Sequence, residues 1–213
     1  MIVVVIGVIL ILAWPAINNA LAKRDLTRTM HNARELYLAA FRMATDGAAK
    51  SDATLAWPGD YPGSSLADYC GKLVEKDYVK APDLQRMISA PGTSCTLAMS
   101  GSPATATLTG KSALKIYKVK SADPSNTIFA ASSNYIYDTE LNPSAVPFGD
   151  RGFVIVRKGG DAGVYKSSQA TPAGFENNVK RFQSDQGVGA LPGAAKGSVA
   201  PGDGAAVLAG PAL

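Results

Sequence analysis

From Met1 to Trp14 the chain carries neither a charged nor a polar side chain, and an apolar stripe at helical spacing continues past Pro15 to about Thr45. A greasy helix end fused to a half-buried stem has few uses. It holds a globular head to a membrane, or it packs beside copies of itself. At 1.5 Å rise per residue the apolar run reaches roughly 21 Å, short of the roughly 30 Å hydrocarbon core of a bilayer. Met1 therefore reads as an internal residue, with apolar residues missing upstream. The competing reading is a secretory leader, for which Ala20-Leu21-Ala22 supplies an A-x-A cleavage pattern. No Lys or Arg precedes the apolar run, however, and a cleaved leader has no need of a stripe that crosses the cleavage point.

The stripe consists of Ile17, Leu21, Leu26, Met30, Ala33, Tyr37, Ala40, Phe41 and Ala44. Between them lie Lys23, Arg24, Asp25, Arg28, Asn32, Arg34, Glu35 and Arg42. Spacings of mostly three to five residues mark a helix with one apolar face. Pro15 sits where the oily run gives way to the stem, and it removes a backbone donor there. Asp46-Gly47 offers a stop, with Gly47 able to take the left-handed cap conformation. Residues 1–46 thus read as one long bent helix of about 65–70 Å, too long to be buried in a small head.

The segment 47–185 is long enough for one domain with its own core. Trp57-Pro58-Gly59-Asp60-Tyr61 is a turn-rich loop with two aromatic anchors, after which Ser64 or Ser65 caps a helix carrying Leu66, Tyr69, Cys70, Leu73 and Val74. A second short helix starts near Pro82 and ends before Pro91-Gly92. From Cys95 on the texture changes to short strands: 96–99, 105–109, 114–119, 127–131, 135–137, 153–157 and 164–166. Lys158-Gly159-Gly160-Asp161 has the chemistry of a hairpin turn. Helices followed by consecutive strands predict an α+β head whose small antiparallel sheet is covered by the long helix. The segment 186–213 is Gly, Ala and Pro with scattered apolar residues and no period, which predicts a disordered tail.

Catalytic chemistry is sparse. Gly110-Lys111-Ser112 ends like a phosphate loop, but Thr105 stands where its first glycine belongs. Ser112-Ala113-Leu114-Lys115 matches S-x-x-K without companion motifs. The single histidine, His31, lies on the stem among charged neighbours, so a Ser-His-Asp or Cys-His hydrolase is rejected. The net charge of +4 is modest; the stem is basic, with Lys23, Arg24, Arg28, Arg34 and Arg42 against Asp25 and Glu35, which suits phospholipid head groups and a solvated helix face equally well, and no basic-aromatic interleaving points to nucleic acid. Cys70 and Cys95 lack the paired spacing of a zinc site. With an export-type N-terminus they predict a disulfide, contributing about 3.5 kcal/mol in the chain-entropy treatment. Asp138, Glu140, Asp150 and Asp161 fall in or beside turns and form a candidate Ca²⁺ set, without EF-hand spacing.

The run from Met1 through Gly7, Ile11 and Trp14 to Pro15 resembles the first helix of type IV pilins and type II secretion pseudopilins. Gly7 and Pro15 match that family's glycine and proline in spacing, which puts Met1 about seven residues inside a mature subunit, with the prepilin leader and the family's N-terminal glutamate absent. The Trp57-Pro58-Gly59-Asp60 loop, the Tyr69–Val79 helix and the Val146–Val154 segment resemble the major, G-type pseudopilins. The resemblance implies a type IV pilin-like α+β fold and a filament subunit that is no enzyme. It implies an inner-membrane location before assembly, with the head in the periplasm. Its partners would be itself, other pseudopilins and the assembly platform, in support of protein secretion across the outer membrane, and calcium would bind in the β-region loop. The alternative function is a membrane-anchored extracytoplasmic binding protein or adhesin that forms no filament.

Overall fold

The computed structural model describes residues 2–101 and 105–211, with side chains described at Ile17 and from Asn19 onward. Helix α1 (Ile2–Lys50) is followed by α2 (Leu66–Glu75) and α3 (Ala81–Met87). Strands β1 (Cys95–Ser100) and β2 (Thr105–Gly110) form a separate two-stranded hairpin. Strands β3 (Leu114–Ile116), β4 (Ile128–Ser132), β5 (Phe153–Arg157) and β6 (Ala162–Tyr165) form an antiparallel meander in chain order. The class is α+β with a long N-terminal helix, but the strands form two sheets where the sequence suggested one.

Helix α1 covers the meander, as its stripe requires. Leu26, Ala33, Leu36, Tyr37, Ala40 and Met43 are buried, and the helix packs on β4, β5 and β6. Tyr37 donates its hydroxyl hydrogen to the Lys158 carbonyl at 2.8 Å, and its ring meets Phe129 edge-on at 5.5 Å. Every residue of β4 and β5 is buried, so the sheet has a second cover. Tyr135 stacks on Phe153 at 4.2 Å, and Tyr137, Phe175 and Phe182 pack together beside it. Tyr135–Tyr137, expected as a strand, is irregular chain that leads into a turn, and its two tyrosines are core. A short run of aromatic and β-branched residues between Asn134 and Asp138 imitated a strand where the chain needed anchors.

Helix α1 runs one turn past Asp46. Gly47 stays helical, and its missing side chain serves packing instead: a Cβ there would lie 1.7 Å from the Leu55 carbonyl oxygen. The left-handed position falls instead on Ser51, at φ 54°, and the Asp52 amide caps the Gly47 carbonyl at 2.9 Å in a Schellman arrangement. Ser65 caps α2 as expected, its Oγ accepting from the Asp68 amide at 3.0 Å. The Lys158–Asp161 turn closes the β5–β6 hairpin, with Gly160 at φ 87°.

The largest correction concerns the tail. Instead of being disordered it is strapped to the head as far as Pro211. Val207 pairs with Tyr117 beyond β3, Leu208 donates to the Ile116 carbonyl at 2.9 Å, and Ala209 bridges to Ser65. Val188 and Leu208 are buried. Composition misled because most of the ordering comes from backbone hydrogen bonds, which small residues make as well as large ones.

Candidate functional site

The apolar surface with the most to explain lies on α1. Residues on one side of the helix from Ala22 to Gly47 are buried by the head, while Ile17, Leu21, Leu38 and Phe41 are 42–50% exposed. The expected stripe is thus divided: Leu26, Ala33, Tyr37, Ala40 and Ala44 serve the head, Ile17 is uncovered, and Leu21 and Phe41 flank the contact, Leu21 beside the 143–151 loop and Phe41 against Trp57. Leu38, absent from the expected stripe, is uncovered like Ile17. Arg24, Arg28, Arg34 and Arg42 lie exposed between these side chains. Phe41 rests against Tyr37 at 6.0 Å and Trp57 at 6.1 Å, which fixes its ring while leaving one face open. Lys158 lies over the Trp57 ring at 5.8 Å. His31 is exposed on the same helix, as expected.

Gly7, Ile11, Trp14 and Pro15 fall on the backbone of α1 but outside the residues whose side chains are described. Among the described residues no helix is long and apolar enough to cross a membrane.

Cys70 and Cys95 are free and buried in one core. Burial pushes the Cys70 thiol up to about 12, with the nearby Cys95 adding to the effect, and burial raises Cys95 as well. Since the thiolate is the nucleophile, such a pair is unreactive while both remain thiols.

The four acidic candidates do not form a site here. Among the described residues no group of three or more His, Cys, Asp or Glu side chains converges. Asp161 is ion-paired with the buried Arg157 guanidinium, which also donates to the Tyr165 hydroxyl and the Gly187 carbonyl. Asp138 sits at φ 50° in the turn entered at Tyr137, where burial raises its carboxyl. Asp150 lines a groove beside the 143–151 loop, and Glu140 is exposed.

The best-built polar cluster was not expected. Asp203, from the tail, accepts the Tyr117 hydroxyl at 2.7 Å and the Tyr137 amide at 3.2 Å, and it pairs with Lys115, which also donates to the Tyr135 carbonyl. Burial lowers the Lys115 ammonium and the Asp203 charge raises it. All its members are engaged with one another, which suits a fastening better than a catalytic centre. A lysine and a tyrosine two apart on one face of a strand were visible in the sequence; their partner, 86 residues beyond Tyr117, was not.

No family model matches the chain, and neither a curated protein nor a solved structure matches it.

Proposed function

We propose that this chain is the subunit of a pilus-like filament, held in a membrane by its apolar helix end until copies pack their helices together. One observation supports this above others: a helix of 49 residues buries one face in its own head and leaves Ile17 and Leu38 uncovered on the other, with Leu21 and Phe41 half-exposed at its flanks. That outward face is continuous with the wholly apolar sequence from Met1 to Trp14. In lipid and in a helix bundle alike, apolar surface stays out of water, so moving between them avoids most of the roughly 25 cal/mol per Å² of exposing it. Repeating one rotation and rise gives an open helical polymer.

On the family resemblance, the membrane is the bacterial inner membrane, the head lies in the periplasm, and the filament supports type II secretion. Other pseudopilins and the assembly platform would be its partners, and no catalysis is assigned to it. In an oxidising periplasm Cys70 and Cys95 would close a bridge during folding, before burial suppresses their thiolates, and calcium would have to draw Asp138, Glu140 and Asp150 together on binding.

The test is Leu38→Glu in the full gene, with filaments sheared from cells and imaged. Loss of filaments at normal protein level is expected. Undiminished filaments would overturn the reading.

A second reading, a membrane-anchored binding protein, draws on a cleft of about 460 Å³ lined by Leu66, Leu114, Val146 and Leu208, with Lys111 at its edge. It predicts that Leu38→Glu is silent and that a Val146 substitution removes the activity.

A further inference from the structure

Where α1 leaves the head, the head has an apolar rim. A groove of about 470 Å³ runs between Leu21 and Ala22 of the helix and the loop from Pro143 to Arg151. Val146 at the loop's crest is 40% exposed, Leu21 42% and Ile17 50%, and Phe148 is half-buried beside them. Leu21, Val146 and Phe148 come from segments far apart in sequence yet line one groove, with Ile17 one turn below Leu21 on the helix.

The level of this groove can be placed along the helix. Leu21 is seven residues past Trp14, the last residue of the apolar run, which is about 10 Å of helix rise. The polar layer on each side of a bilayer is about 5–7 Å thick. A head whose rim stands about 10 Å above the end of the oily segment is left about 3–5 Å from that polar layer, room for a single layer of water at most. Charge agrees with this placement. A membrane plane crossing the helix meets every face, so Lys23, Arg24, Arg28 and Arg151, all exposed, count together against Asp25 and Asp150. Arg24 and Asp25 pair with each other at 2.9 Å, which leaves Lys23, Arg28 and Arg151 against Asp150.

We propose that the Leu21–Val146–Phe148 rim is a membrane-seating surface, which rests on the anionic head-group layer of the bilayer that holds α1. The apolar tips enter the interface and the cations ring it, the composition that interfacial segments use. Seating fixes the tilt of the head before assembly, and a subunit leaving the membrane must release this contact as well as its helix. The inference rests on the membrane-held state proposed above.

The experiment uses the full chain in vesicles of equal parts phosphatidylcholine and phosphatidylglycerol, some carrying a nitroxide on the head group. An environment-sensitive dye is attached at Val146→Cys, or at Ala53→Cys beyond the far end of α1; the native cysteines are buried. Co-flotation with the vesicles and several-fold stronger quenching at position 146 than at 53 is the expected result. Co-flotation with equal, weak quenching at both positions overturns the seating surface and leaves the anchor standing. Failure to float overturns both. A dye at 146 that is unquenched in vesicles but shielded in filaments assigns the rim to a neighbouring subunit and overturns the lipid assignment.

Discussion

The Tyr117 hydroxyl, one residue past β3, donates to Oδ1 of Asp203 in the tail at 2.7 Å, while Lys115 on the same strand pairs with Oδ2 of that carboxylate. One side chain thereby fastens the C-terminal strap to the edge of the four-stranded sheet. Asp203→Ala leaves a partly buried ammonium and a buried phenol without their acceptor. Stability should fall by about 3 kcal/mol, seen as a lower urea midpoint with the slope unchanged. An unaltered midpoint would mean that the strap is not fastened there.

High pH should unfold the head. Cys70 is pushed up to about 12 by burial, as is Tyr137, and Tyr78 reaches about 12 through burial and the hydrogen bond it donates to Asp46. Each is held neutral in the folded state but ionises near its ordinary value, roughly 8.5 for Cys and 10 for Tyr, when unfolded. Their contribution is therefore complete below about pH 8.5 and is lost as pH rises towards 12. Under reducing conditions, thermal stability should start to decline near pH 9. Replacing Cys70 and Cys95 together by Ala should move that onset up towards 10, since burial raises both thiols.

Gly47→Ala tests the turn at the end of α1. A Cβ 1.7 Å from the Leu55 carbonyl oxygen forces the 51–55 loop off the helix, despite alanine's better helix propensity. A loss of about 1–3 kcal/mol on chemical denaturation is expected. A gain in stability would show that the loop can retreat freely.

Leu38→Glu should separate folding from assembly. Leu38 is 43% exposed and glutamate is a good helix former, so the monomer's stability should change by no more than about 0.5 kcal/mol. A large fall in stability would mean that the residue serves the head and says nothing of an outward face.

Where local pattern decides structure, the sequence was readable. The period of α1, the Ser65 cap and the Lys158–Asp161 turn depend on neighbours within a few residues, and each is found as expected. The misreadings share one cause, a partner distant in sequence. Gly47 is a glycine because the Leu55 backbone lies against it, Tyr135 and Tyr137 leave the sheet because Phe153 and Phe182 receive their rings, and the tail is ordered because β3 offers an open edge. The outward face of α1 was legible only in part. Periodicity finds apolar positions, but it cannot divide them between the head and a partner until the head is in place.

The central claim is that the outward face of α1 meets the same face of other subunits. Its most direct measurement is oxidative cross-linking in cells expressing the full gene with paired substitutions Ile17→Cys and Leu38→Cys, followed by denaturing electrophoresis without reductant. The account predicts a ladder of covalent multimers that collapses to monomer on reduction and is absent when Ala53→Cys replaces the pair. A monomer band alone, from cells in which the protein is folded and membrane-bound, would contradict it.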